Sequence, residues 1–125
     1  MTNLNELNQE IKAAELVRFD MKENLLALEV KKTKITVDLE AVEAQIESDV
    51  LTGEGSELLK NDKARRAAVK AALLADYDVK KFTERLEEVV NDIKSLELSL
   101  RKNQIEIEFL QRSFQIEILV AGGKI

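Results

Sequence analysis

Stepping along the chain from Leu4 by threes and fours meets Leu4, Leu7, Ile11, Ala14, Arg18, Met21, Leu25, Leu28, Lys32, Ile35, Leu39, Val42, Ile46 and Asp49. Only Arg18, Lys32 and Asp49 interrupt an apolar line. A helix turns once per 3.6 residues, so this spacing keeps one face apolar. A heptad held for so long marks a coiled-coil seam rather than an ordinary amphipathic helix. It predicts helix over about 3–51. Thr2 or Asn3 is placed to cap its start, with Glu6 completing a capping box after Asn3. The helix is expected to stop near Leu51, because Gly53 and Gly55 follow. Thr52 to Ser56 then reads as the glycine-containing turn of a loop over about 52–61.

A second seam runs Ala68, Ala72, Ala75, Val79, Phe82, Leu86, Val89, Ile93, Leu96, Leu100, Asn103, Ile107, Leu110, Phe114, Glu117 and Ala121. Asn103 and Glu117 alone break it, and it predicts helix over about 62–121. Asn61 or Asp62 is the candidate N-cap, with Ser56 an alternative, and Gly122-Gly123 supplies a left-handed stop. Two stretches compete with helix. Ile105, Ile107 and Phe109 alternate with acids, as do Phe114, Ile116 and Ile118 with polar residues, which is a strand signal. No turn separates them and the heptad passes through both, so helix is preferred. Asp76-Tyr77-Asp78 is a soft spot where the second helix can bend or break.

Two long helices joined by a short polar segment are expected to pack antiparallel as a single hairpin over 1–125. Pairing Leu4 with Glu117 sets Leu25 opposite Leu96, Leu28 opposite Ile93, Leu39 opposite Phe82 and Ala14 opposite Ile107, and a slip of one heptad fits the pattern almost as well. Arg18 then lies near Asn103, and polar residues at one level of a seam help to fix register at some cost in stability.

Each helix also carries a second apolar line. On the first it is Phe19, Leu26, Val30, Val37, Ala41 and Ala44; on the second it is Leu98, Ile105, Phe109, Ile116 and Val120. A two-helix hairpin buries one stripe per helix. Large residues beside that stripe face water, at a cost of roughly 25 cal/mol per Å². They imply another surface to pack against. The expectation is self-association into a dimeric four-helix bundle, or docking on a partner. The competing reading is one wide seam whose Phe and Ile rims shield the core.

Composition agrees with long helices. The chain has 125 residues, 45% hydrophobic and 34% charged, with no proline to interrupt a helix. It also has no cysteine, histidine or tryptophan. Thiolate chemistry, cysteine-held metals and near-neutral imidazole catalysis are therefore excluded. Only carboxylates and carbonyls remain as metal ligands, suited to Mg²⁺ or Ca²⁺. Asp76 and Asp78 flank Tyr77 without the rest of a calcium loop. Thr52-Gly53-Glu54-Gly55-Ser56 lacks the lysine and preceding strand of a phosphate loop. No catalytic set, cofactor site or metal site is expected.

The net charge is −5, so broad attraction to nucleic acid or anionic membrane is not expected. One local exception is a basic cluster just after the loop: Lys60, Lys63, Arg65, Arg66 and Lys70, opposed by Asp62. It is a candidate contact for phosphates or an acidic partner, against the plainer reading of ordinary surface charge. No aromatic residues interleave with it as a base-stacking platform. No apolar run approaches the roughly 20 residues that span a bilayer. The polar start, Met1 to Glu10, lacks secretory-signal order, and a cytoplasmic setting is the simplest expectation.

Lys60-Asn61, Arg65-Arg66-Ala67, the Ala/Leu stretch to Asp76-Tyr77 and the long helix beyond resemble small coiled-coil proteins of bacteriophages and integrated mobile elements. The resemblance covers about 60–114 and implies a bacterial or phage cytoplasmic setting. It transfers no functional residues. The functional expectation is a non-enzymatic interaction protein that associates with itself. The alternatives are a nucleic-acid accessory using the basic cluster, and an inhibitor or adaptor that fills a groove of a host protein with one helix face.

Overall fold

A computed structural model describes residues 4–53 and 55–123, with side chains through 122. The fold is all-α: nearly every described residue is helical and none is in a strand. Helix α1 covers Leu4–Thr52, α2 Asp62–Ala75 and α3 Tyr77–Gly123, with a short 3-10 turn at Ser56–Leu58. The alternating stretches around Ile105 and Ile116 lie inside α3. The expected cap at Thr2 or Asn3 lies outside the described residues.

The last turn of helix α1 is closed by bonds of i to i−4 spacing. The Gly53 N–H donates to the Asp49 carbonyl at 2.9 Å, and the Thr52 hydroxyl to the Ser48 carbonyl at 2.6 Å. Gly55 then takes φ 87°, a left-handed conformation that a side chain disfavours. Asn61 is extended and its side chain accepts from the Ala64 N–H at 2.8 Å, which starts α2.

The second long helix expected over 62–121 is two helices. Asp76 is extended, at φ −77° and ψ 129°, and its carboxylate accepts from the Val79 N–H at 2.9 Å. That is an N-cap, so the soft spot is a true break: an aspartate offers the backbone a partner that competes with helix continuation. The seam changes phase there. Ala75 is exposed, whereas Leu73 and Asp76 are half-buried. Helix α3 extends through Gly122 to Gly123, two residues beyond the expected end at 121.

The chain forms two compact units, one of Met1–Leu28 with Asp92–Ile125, the other of Glu29–Asn91. In the first, Leu7, Ala14, Ile93 and Ile107 are buried. Leu4, Ile11, Met21, Leu25, Leu28, Leu96, Leu100, Leu110 and Phe114 are half-buried around them. In the second, Ile35 and Val89 are buried, and Leu39, Val42, Ile46, Ala68, Ala72, Val79, Phe82 and Leu86 are half-buried. These are the seam positions. Of the two seams, Lys32, Asp49, Ala75 and Ala121 are the exposed members.

Candidate interaction surfaces

Polar contacts mark one level of the first unit. Asn103, 6% exposed, donates from Nδ2 to the Ala14 carbonyl at 3.1 Å. Arg18 Nη1 donates to Gln104 Oε1 at 2.9 Å, and Gln104 Nε2 donates to Glu108 Oε1 at 3.3 Å. Asn103 thus meets Ala14, about one helical turn from the expected Arg18, while Arg18 takes the next residue, Gln104. The Oδ1 atom of Asn103 is buried without a hydrogen-bond partner. A groove of about 470 Å³ opens here, bounded by Glu10, Ala13, Ala14 and Val17 on α1 and by Asn103, Glu106 and Leu110 on α3.

The second apolar lines are in water. Phe19, Leu26, Val30 and Val37 on α1 are 57–62% exposed; Leu98, Ile105, Phe109, Ile116 and Val120 on α3 are 48–68% exposed. Ala41 and Ala44 are exposed too. The lines do not rim the core. At about 100° per residue, each stripe lies roughly 140–170° round its helix from the buried seam, on the outward side. This corrects the expectation of a line beside the seam and removes the wide single seam. Leu16 and Leu119, 67% and 73% exposed, extend the two stripes. Their three-residue spacing from Phe19 and from Ile116 is the sequence signal that marks them.

The basic cluster is less open to anions than its sequence suggests. Lys60, Lys63, Arg65, Arg66 and Lys70 are all exposed. Arg65 pairs with Asp62 at 3.5 Å. Arg65, Arg66 and Lys70 line a cleft of about 550 Å³ with Leu51, Val69 and Leu73, but Glu47 and Asp62 line it as well. Lys60 and Lys63 are not among its walls. The structure therefore brings three of the five cations together and sets two carboxylates among them, which weakens any focused positive field.

Among the described residues, no group of three carboxylates converges as a metal site. No described helix is long and apolar enough to cross a membrane. No protein-family model matches the chain, and neither the curated proteins nor the solved structures contain a significant match.

Proposed function

We propose that this protein is a non-enzymatic structural or interaction protein whose working surfaces are the outward apolar stripes. In this reading α1 runs antiparallel to α2 and α3 as a hairpin. Two hairpins pair through their outward stripes, so that one helix of each hairpin lies at the contact. The nesting of the units favours the hairpin: the first segment of the chain packs with the last, and the intervening segments pack with one another. The absence of cysteine and histidine favours a role without catalysis.

The single observation that carries the reading is the exposure of large apolar residues at heptad spacing, opposite a seam that is already occupied. Scattered exposed leucines are normal on any protein, whereas a continuous helical stripe is characteristic of a contact surface. Sedimentation equilibrium at micromolar concentration tests it. The expected mass exceeds the 14.1 kDa of one chain. Phe109→Gln with Ile116→Gln lowers that mass while helicity is kept. A wild-type monomer throughout refutes self-pairing, and loss of helicity in the variant instead assigns Phe109 and Ile116 to the protein's own core.

A further inference from the structure

A single residue, Asp76, separates α2 from α3. Its φ of −77° is already helical, and only ψ, at 129°, is not. Rotation of that one torsion by about 170° joins the two helices into one. The heptad line permits it, because Ala68, Ala72, Ala75 and Val79 keep their spacing across residue 76. The junction, with α2 and the start of α3, lies inside the unit of Glu29–Asn91.

Burial shows what holds the junction broken. Leu73 and Phe82 are both half-buried. At about 100° per residue, a straight helix sets these two on opposite sides, with Val69 about 140° from Phe82. The break lets Val69 and Leu73 line a cleft of about 550 Å³ together with Leu51, and leaves Ala75 exposed. Two backbone donors are redirected to match. The Asp76 N–H donates to the Leu73 carbonyl at 3.3 Å, where a continuous helix uses the Ala72 carbonyl. The Val79 N–H donates to the Asp76 carboxylate at 2.9 Å, where a continuous helix uses the Ala75 carbonyl.

Each form has what the other lacks. The broken form has the apolar burial of Val69 and Leu73 and the capping bond. The continuous form has the unbroken run of i to i−4 bonds and places Ala75 in the packed line. We infer that the α2–α3 junction is a two-position hinge, in which rotation at Asp76 exchanges the broken pair for one continuous helix and carries Val69 and Leu73 out of the packed face. In the continuous form these two share the outward side of the helix with Arg66 and Lys70, roughly 80–180° round from Val79. The hinge therefore covers or uncovers an apolar pair beside two cations without unfolding either helix. It is independent of the outward stripes and of self-pairing.

The test uses the full chain and two opposed variants. Tyr77→Pro locks the broken form, because proline suits the first residue of a helix, favours an extended residue before it and lacks the N–H that a continuous helix needs. Tyr77 is 74% exposed, so little packing is lost. Leu73→Ala with Ala75→Leu moves one leucine onto the heptad line and leaves Asp76 in place. Spin labels on Ala67→Cys and Glu84→Cys, both at exposed positions, are read by double electron–electron resonance in excess unlabelled chain, so that only distances within one chain count. The wild type is expected to share the main distance of Tyr77→Pro. The moved-leucine variant is expected to shift to about 26 Å, the span of 17 residues of straight helix. Its Tyr77 and Asp78 amides, first-turn donors only in the broken form, are expected to exchange about tenfold more slowly or better. A moved-leucine variant that keeps the Tyr77→Pro distance and fast amides overturns the hinge, as does one that loses helical ellipticity with a broad distance distribution. A wild type already at the straight-helix distance overturns the broken resting form. If Tyr77→Pro loses helix content, amide protection in the moved-leucine variant decides alone.

Discussion

Asn103 reaches from α3 to the backbone of α1 at Ala14, donating from its amide to a carbonyl 3.1 Å away. The contact depends on the small side chain at residue 14, which is itself 7% exposed. It leaves Asn103 Oδ1 buried and unsatisfied. A polar residue of this kind costs stability and restricts register. Asn103→Leu is expected to raise stability by about 1–2 kcal/mol, read as a higher urea midpoint. The same change is expected to loosen register. Because the native chain has no cysteine, single cysteines placed at Val17 and Glu106, which border the same groove, report it. Their cross-linking is expected to be efficient in the native background and reduced in Asn103→Leu.

Ile105 and Ile107 separate core from surface on one turn of α3. Ile107 is 1% exposed and Ile105 61% exposed. Ile107→Ala is expected to cost about 2–5 kcal/mol in thermal or urea unfolding. Ile105→Ala, measured at low concentration, is expected to stay within about 0.5 kcal/mol. Equal losses at the two positions show that the outward stripe is packed within a single chain.

Asp76 terminates α2 and caps α3 at once. Removing the carboxylate in Asp76→Ala takes away the acceptor for the Val79 N–H. The expected cost is about 1 kcal/mol, with faster amide exchange at Val79 and Lys80. Asp76→Asn retains an acceptor and is expected to recover most of the loss.

Gly55 carries the one positive φ recorded among the described residues, and a Cβ there meets open space. Its replacement is therefore a test of backbone conformation without a clash. Gly55→Ala is expected to cost about 1 kcal/mol by thermal denaturation. Gly53 is the contrasting case. A Cβ there lies 2.5 Å from the Asp49 carbonyl oxygen, so alanine at residue 53 must move the end of α1.

The seams were legible because burial follows heptad spacing residue by residue, from Leu7 and Ala14 to Ile93 and Ile107. The break at Asp76 was legible only as a weak point. Ala72, Ala75 and Val79 keep the period across it, and what decides is the capping bond to Val79, a relation in space. The outward stripes were visible as spacing, but their angular distance from the seam emerges only when seam and stripe are compared on one helix. The setting of the basic cluster was hidden. Glu47, which shares the cleft with Arg65 and Arg66, comes from α1, far away in sequence.

Helix α2 has clean ends, with Asn61 at one and Asp76 at the other, yet none of its 14 residues is fully buried. A helix of that length is marginal without packing, so α2 is expected to open locally while the longer helices stay closed. Its cations then acquire a different meaning. Lys60, Lys63, Arg65, Arg66 and Lys70 are five trypsin cleavage positions in and just before the most weakly anchored helix. Limited digestion is expected to nick the chain first between Lys60 and Lys70, releasing two large fragments that remain associated. The shallow packing of α2 thus predicts that proteolytic entry begins in this stretch.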